Sequence, residues 1–142
     1  LYYAKGNYDR ALPLFQQVSS IFEQVLGSVH PSYATSLNNL ALLYHAKGDY
    51  DQALPLCERA SSIWEQVLGP AHPDYATSLN NLAELYRANG DYDQALPLYE
   101  RAVTILKKTL GTQHPTTQGV IRNYQGLLEE MAKQGGASTT DG

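Results

Sequence analysis

Apolar residues in this chain recur at spacings of three and four. Over 32–47, Tyr33, Leu37, Leu40, Ala41 and Tyr44 form one stripe, the mark of a helix with a single buried face. The stripe returns over 74–89 as Tyr75, Leu79, Leu82, Ala83 and Tyr86. Over 50–68 a second pattern places Tyr50, Ala53, Leu54, Cys57, Ala60, Ile63, Trp64 and Val67 on one face. Gly48 and Asp49 stand between the two patterns as a glycine stop followed by an N-cap acid. Pro73 suits a first helical turn. No segment alternates with a period of two over a useful length, so the expected fold is all-α.

The two patterns belong to one repeated unit. Asn7-Tyr8-Asp9-Arg10-Ala11-Leu12-Pro13-Leu14 returns 42 residues later from Asp49, and again from Asp91. Residues 7–48 and 49–90 agree at 29 of 42 positions. The third unit keeps the first half of the pattern and loses the second. A unit that stacks on copies of itself with a degraded end predicts an α-solenoid of antiparallel helix pairs closed by a cap. The expected helices are 8–26, 50–68 and 92–110 of one type and 32–47 and 74–89 of the other. Residues 1–6 are expected to end a truncated first helix. A divergent capping helix covers 115–134, so the array spans 7–134, and 135–142 is a flexible tail. Pro13, Pro55 and Pro97 lie about a turn inside their helices, where a slight bend without functional role is expected.

The unit resembles the tetratricopeptide repeat. Leu79, Leu82, Ala83, Tyr86, Gly90, Tyr92, Ala95, Tyr99 and Ala102 fall at that family's packing positions, as do their counterparts one unit earlier. Leu-Asn-Asn-Leu-Ala at 37–41 and 79–83, and Leu-Gly-x-x-His-Pro at 26–31, 68–73 and 110–115, are similar to the 42-residue kinesin light chain variety. The resemblance implies a right-handed superhelix whose first helices line a concave groove. It also implies a protein-interaction role, with short linear segments of partners as ligands.

Composition narrows the alternatives. Ten Lys+Arg against 14 Asp+Glu give a net charge of −4, which argues against nucleic acid and against an electrostatic membrane binder. No apolar run nears the roughly 20 residues that span a bilayer. A lone cysteine excludes a disulfide framework and a multi-thiolate metal site. Residues 1–6 lack a charged-then-apolar leader layout, and the expected location is cytoplasmic. No metal, cofactor or catalytic set is expected. His30, His72 and His114 lie in successive loops, too far apart to converge on one ion, and read as loop packing or helix capping. Cys57 reads as a buried thiol, Trp64 as core, and Glu129 and Glu130 as solvated. Eleven tyrosines against two Phe are mostly explained by the period, since eight recur in register.

The groove residues lie off the apolar stripe. Thr35, Asn38, Leu42 and His45 run at three-four-three spacing, and Thr77, Asn80, Glu84 and Arg87 repeat them. Asn39 and Asn81 sit beside them, and Arg122 and Asn123 follow on the last helix. A side-chain amide both donates and accepts, so this ladder either bonds the backbone of an extended peptide or bonds between neighbouring helices. In the family's terms, Asn38 and Leu42 replace the basic clamp of the chaperone-tail binders. Arg87, Arg122 and His45 suit an acidic peptide, which Glu84 opposes. Tyr3, aligned with His45 and Arg87, is a further candidate contact. The competing expectation is assembly: the uncovered apolar face of helix 8–26 self-associates through the open N-terminal end.

Overall fold

A computed structural model describes residues 5–140, with side chains placed from 7 to 135. Among them the chain is a succession of helices without a strand: α1 (Lys5–Leu26), α2 (Pro31–Ala46), α3 (Tyr50–Leu68), α4 (Pro73–Ala88), α5 (Tyr92–Thr109) and α6 (Pro115–Thr140). Each packs on the next, and α6 also reaches back to α4. The odd-numbered helices form one layer and the even-numbered helices the other. Alanines set the spacing. Ala34, Ala41, Ala53, Ala76, Ala83, Ala95 and Ala102 are wholly buried, and a methyl is the largest group that lets helices approach so closely. The core is a chain of apolar clusters running along the stack, with Trp64 packed against two of them.

The two kinds of connection close by different chemistry. After α2 and α4 the chain turns through Gly48 and Gly90, at φ +82° and +84°. Asp49 N–H donates to Tyr44 O (2.9 Å) and Gly48 N–H to His45 O (2.9 Å), the pair of bonds that closes a left-handed helix end. Before α2, α4 and α6 the cap is a histidine. Nδ1 of His30 accepts from Ser32 N–H (3.0 Å), that of His72 from Asp74 N–H (3.0 Å), and that of His114 from Thr116 N–H (3.1 Å). The recurring histidines are therefore helix caps.

Several boundaries and caps differ from the sequence reading. Asp49 and Asp91 occupy N-cap positions but make no side-chain cap bond. Asp49 sits at φ −94°, ψ 73°, away from the extended backbone that swings His30 over its helix. α1 begins at Lys5 and takes Gly6 into its first turn, where the sequence reading started the helix at 8. α6 stays helical past 134 to Thr140, since Gly135 does not adopt the left-handed conformation that ends α2 and α4. Residues 1–4, Tyr3 among them, lie outside the described residues. α1, α3 and α5 run uninterrupted through Pro13, Pro55 and Pro97. Each proline deprives the carbonyl four residues back of its donor. Asp9, Asp51 and Asp93, the residues four back, are exposed.

The copied tyrosines are packing residues with a polar end. Tyr33 and Tyr75 are buried. The Tyr33 hydroxyl donates to Glu23 Oε2 (3.0 Å), the same oxygen that Arg59 Nη2 reaches at 2.8 Å, while the guanidinium stands 5.2 Å from the Tyr33 ring centroid. One unit later Arg101 meets Glu65 at 3.2 Å and stands 5.3 Å from the Tyr75 ring. Tyr44 and Tyr86 reach 28 residues back, to Gln16 Nε2 (3.0 Å) and Glu58 Oε1 (2.7 Å). The ion pairs are half exposed and each contributes under about 1 kcal/mol. Ring burial carries most of the energy, and the hydroxyl bond fixes which face of the next helix the ring meets.

Replacing His72 with Ala is expected to lower stability by about 1 kcal/mol in denaturant titration, and His72→Asp to restore most of it. A second expectation concerns alkali. Burial first, then the carboxylate of Glu58, raises the Tyr86 phenol from 10.0 to about 12, and burial raises Tyr33, Tyr75 and Tyr99. The folded state thus holds these protons more tightly than the unfolded chain. Their contribution is complete below pH 10 and is lost as the pH climbs through 10 towards 12. The thermal midpoint should fall across that window, and phenolate absorbance should rise together with loss of helix.

Candidate peptide-binding groove

α2, α4 and α6 present their polar positions along one face of the molecule, and the structure divides the candidate residues among three places. The first is the joint of α4 with α6. Asn123 Nδ2 donates to Asn80 Oδ1 (3.2 Å). Arg87 Nε donates to Glu130 Oε1 (3.1 Å) and Nη1 to Asn123 O (3.2 Å), and Nη2 closes a charge-assisted bond to Glu130. Glu84 Oε1 stands 4.0 Å from Arg87 Nη1 and accepts from the Tyr99 hydroxyl. The Arg87 bond, offset only in part by burial, lowers the Glu130 carboxyl, while burial raises the Tyr99 phenol. His45 and Ala88 complete this crevice of about 260 Å³. The cation expected to face a ligand is already paired, and Glu130, expected in solvent, is the group that pairs it.

The second place is the joint of α2 with α4, which is open. Thr35, Asn38, Thr77 and Asn81 line a crevice of about 170 Å³ whose floor includes Trp64 and whose rim carries Asp74. Asn38 Oδ1 takes only a long contact from the Cys57 thiol (3.9 Å), and no side-chain hydrogen bond is formed by Asn81 among the described residues. Cys57 is 1% exposed and its thiol is pushed up to about 12, chiefly by burial, so it is inert as a nucleophile. Trp64 is half-buried rather than sealed in the core. It packs against two core clusters, as the sequence reading expected; that its remaining surface lines a crevice was not foreseen, although Phe22 and Leu106 at the same position show that the site tolerates several shapes.

The third place lies between α1 and α2. Asn39 and Thr35 line a hollow of about 320 Å³ with Phe15, Val18 and Phe22, and Leu42, 47% exposed, lines a neighbouring one. Arg122 is exposed on α6, in register with Asn38 and Asn80. Among the described residues no group of three His, Cys, Asp or Glu could hold a metal ion, and no helix is long and apolar enough to cross a membrane.

The profile of the tetratricopeptide repeat matches residues 1–56 and 34–108. The chain belongs to the tetratricopeptide repeat family. Two crystal structures of "Podosopora anserina putative kinesin light chain nearly identical TPR-like repeats" superpose at TM-score 0.72 with 33% identity. The match covers 88% of this chain and 65% of that one, so the chain spans under two thirds of its neighbour's length. BtubC (BKLC) from P. vanneervenii, at 20% identity and TM-score 0.71, shares the fold over 94% of this chain and 59% of its own. No curated protein matches. The fold comparison agrees with the helix-pair solenoid and with the kinesin light chain-like unit. In these TPR units the first helix of each pair is α2 or α4, with α6 following in the same layer.

Arg87→Met is expected to cost about 1 kcal/mol, the scale of a partly exposed charged hydrogen-bond pair. The loss should localise to the α4–α6 joint, read as faster amide exchange in α6 with α2 and α3 unchanged.

Proposed function

We propose that the chain is a non-catalytic interaction module that holds an extended peptide or a partner helix in a concave groove formed by α2, α4 and α6. The observation that carries this reading is the unmatched amide of Asn81 beside Asn38 at an open joint. The homologous pair, Asn80 with Asn123, is bonded and closed. An amide without a partner on a family's customary binding face is a ready donor and acceptor for a peptide backbone.

One observation favours a second reading, self-association through α1. Leu14, Val18, Ile21 and Val25 are 61%, 45%, 48% and 73% exposed. The counterparts of the first three, Leu56, Ala60 and Ile63, pack with Tyr33, Ala34 and Leu37 of α2, whereas Val67, the counterpart of Val25, is itself 40% exposed. An apolar stripe of this kind, four residues long on one helix face, is a self-association surface.

A peptide-display screen separates the two. Selected peptides should bind the wild type and lose binding to Thr77→Ala with Asn81→Ala, while the melting temperature stays within about 2 °C. Failure to select any peptide, together with concentration-dependent light scattering that Ile21→Glu abolishes, would leave the assembly reading in its place.

A further inference from the structure

The same pocket occurs three times along the solenoid in three states of completion. Between α1 and α2 it is half built, from Phe22, Ser32, Thr35 and Asn39. Between α4 and α6 the equivalent positions hold Leu106, Thr116, Gly119 and Asn123. There Leu106 is fully buried, Val120 replaces Ser78, and Asn123 is tied to Asn80, so the equivalent pocket is closed, and the crevice at this joint lies instead beside Arg87 and Glu130. Only between α2 and α4 are both walls present and the amides apart. Two residues are special to this version: Trp64 on the floor, where the others have Phe and Leu, and Asp74 on the rim, where they have Ser and Thr.

Resting on the groove reading above, we propose that this crevice selects a peptide carrying a basic side chain. The basic group lies against Trp64 with Asp74 as its counter-charge, while Asn38 and Asn81 bond the flanking backbone. Asp74 is the single charged residue lining the crevice. It is 65% exposed, and the one basic ring near it is His72, at 4.0 Å. His72 does not neutralise it, because the nearer nitrogen is already accepting from Asp74 N–H. Arg87, the cation that would favour an acidic ligand, is held by Glu130 at the next joint, and Arg122, exposed on α6, does not line the crevice. The crevice therefore offers an incoming cation an uncompensated carboxylate and the most electron-rich aromatic ring among the side chains. The molecule uses the same pairing elsewhere: Arg59 and Arg101 each combine a tyrosine ring with a glutamate. An acidic ligand side chain would meet Asp74 with no cation to offset it.

Trp64 is the sole tryptophan of the chain, so its fluorescence reports this site alone. The probes are three blocked pentapeptides, four alanines flanking a central Arg, norleucine or Glu, titrated to millimolar concentration. The Arg peptide is expected to change the emission saturably and to bind more tightly than the norleucine peptide, with the Glu peptide weakest. Asp74→Asn should weaken the Arg peptide about fivefold and leave the norleucine peptide unchanged. Asn81→Ala should weaken all that bind, and circular dichroism checks that both variants remain folded. Equal binding of the Arg and norleucine peptides, or an Asp74→Asn variant that binds the Arg peptide as the wild type does, overturns basic selection and leaves the groove reading standing. Tighter binding of the Glu peptide does the same. If no peptide perturbs Trp64, this crevice is not the anchor site, and the display screen alone decides whether the rest of the groove binds.

Discussion

Close packing at the joints between helices is the constraint on which the molecule depends. A helix pair of 42 residues cannot bury its own apolar stripe, so each pair is stable only against the next. The joint is made by alanines that allow approach and by a tyrosine that fills the seam while its hydroxyl finds a polar partner on the preceding outer-layer helix. Tyr33 with Glu23 and Tyr86 with Glu58 show the device in two positions. Because these bonds lie along the seams, they leave polar positions of α2 and α4 free of structural duty. The open polar positions on which the proposed groove rests are thus a by-product of how the repeat is held together.

That freedom ends where the repeat degenerates. At the α4–α6 joint, tyrosine at 99 in place of the thiol at 57 takes up Glu84, and Glu130 takes up Arg87. The final helix has lost the repeated sequence; it still buries Val120 and Leu127 in the core, and polar contacts to α4 are added on the face where α2 and α4 carry their amides. The cap therefore closes one amide pair, Asn80 with Asn123, and the open pair is the one between two well-formed units.

Much of the fold was legible because it is local and copied. The 42-residue period, the helix limits within one or two residues for α2 to α5, and the burial of Cys57 follow from spacing and from glycine and proline positions. Capping was half legible: the His-Pro pairs could be read as caps, but Asp49 looked like a better one, and its backbone angles decide otherwise. The candidate site was less legible for a specific reason. Asn80 and Asn38 are identical in local sequence, and their different fates depend on residues 43 positions further on, Asn123 and Asn81, and on the contents of the joint between. Arg87 and Glu130 are likewise 43 residues apart, in a stretch where the third unit no longer follows the other two. Pattern reasoning stops where the copy stops.

The central claim is that two homologous amide pairs on one face differ, one closed and structural, the other open and available. Side-chain amide spectra by nuclear magnetic resonance test it directly, with the Arg-centred pentapeptide added stepwise. The account predicts that the Asn38 and Asn81 amides and the Trp64 indole move together and saturate, while Asn80 and Asn123 stay in place. Movement of Asn80 and Asn123, or changes confined to α1, would contradict it.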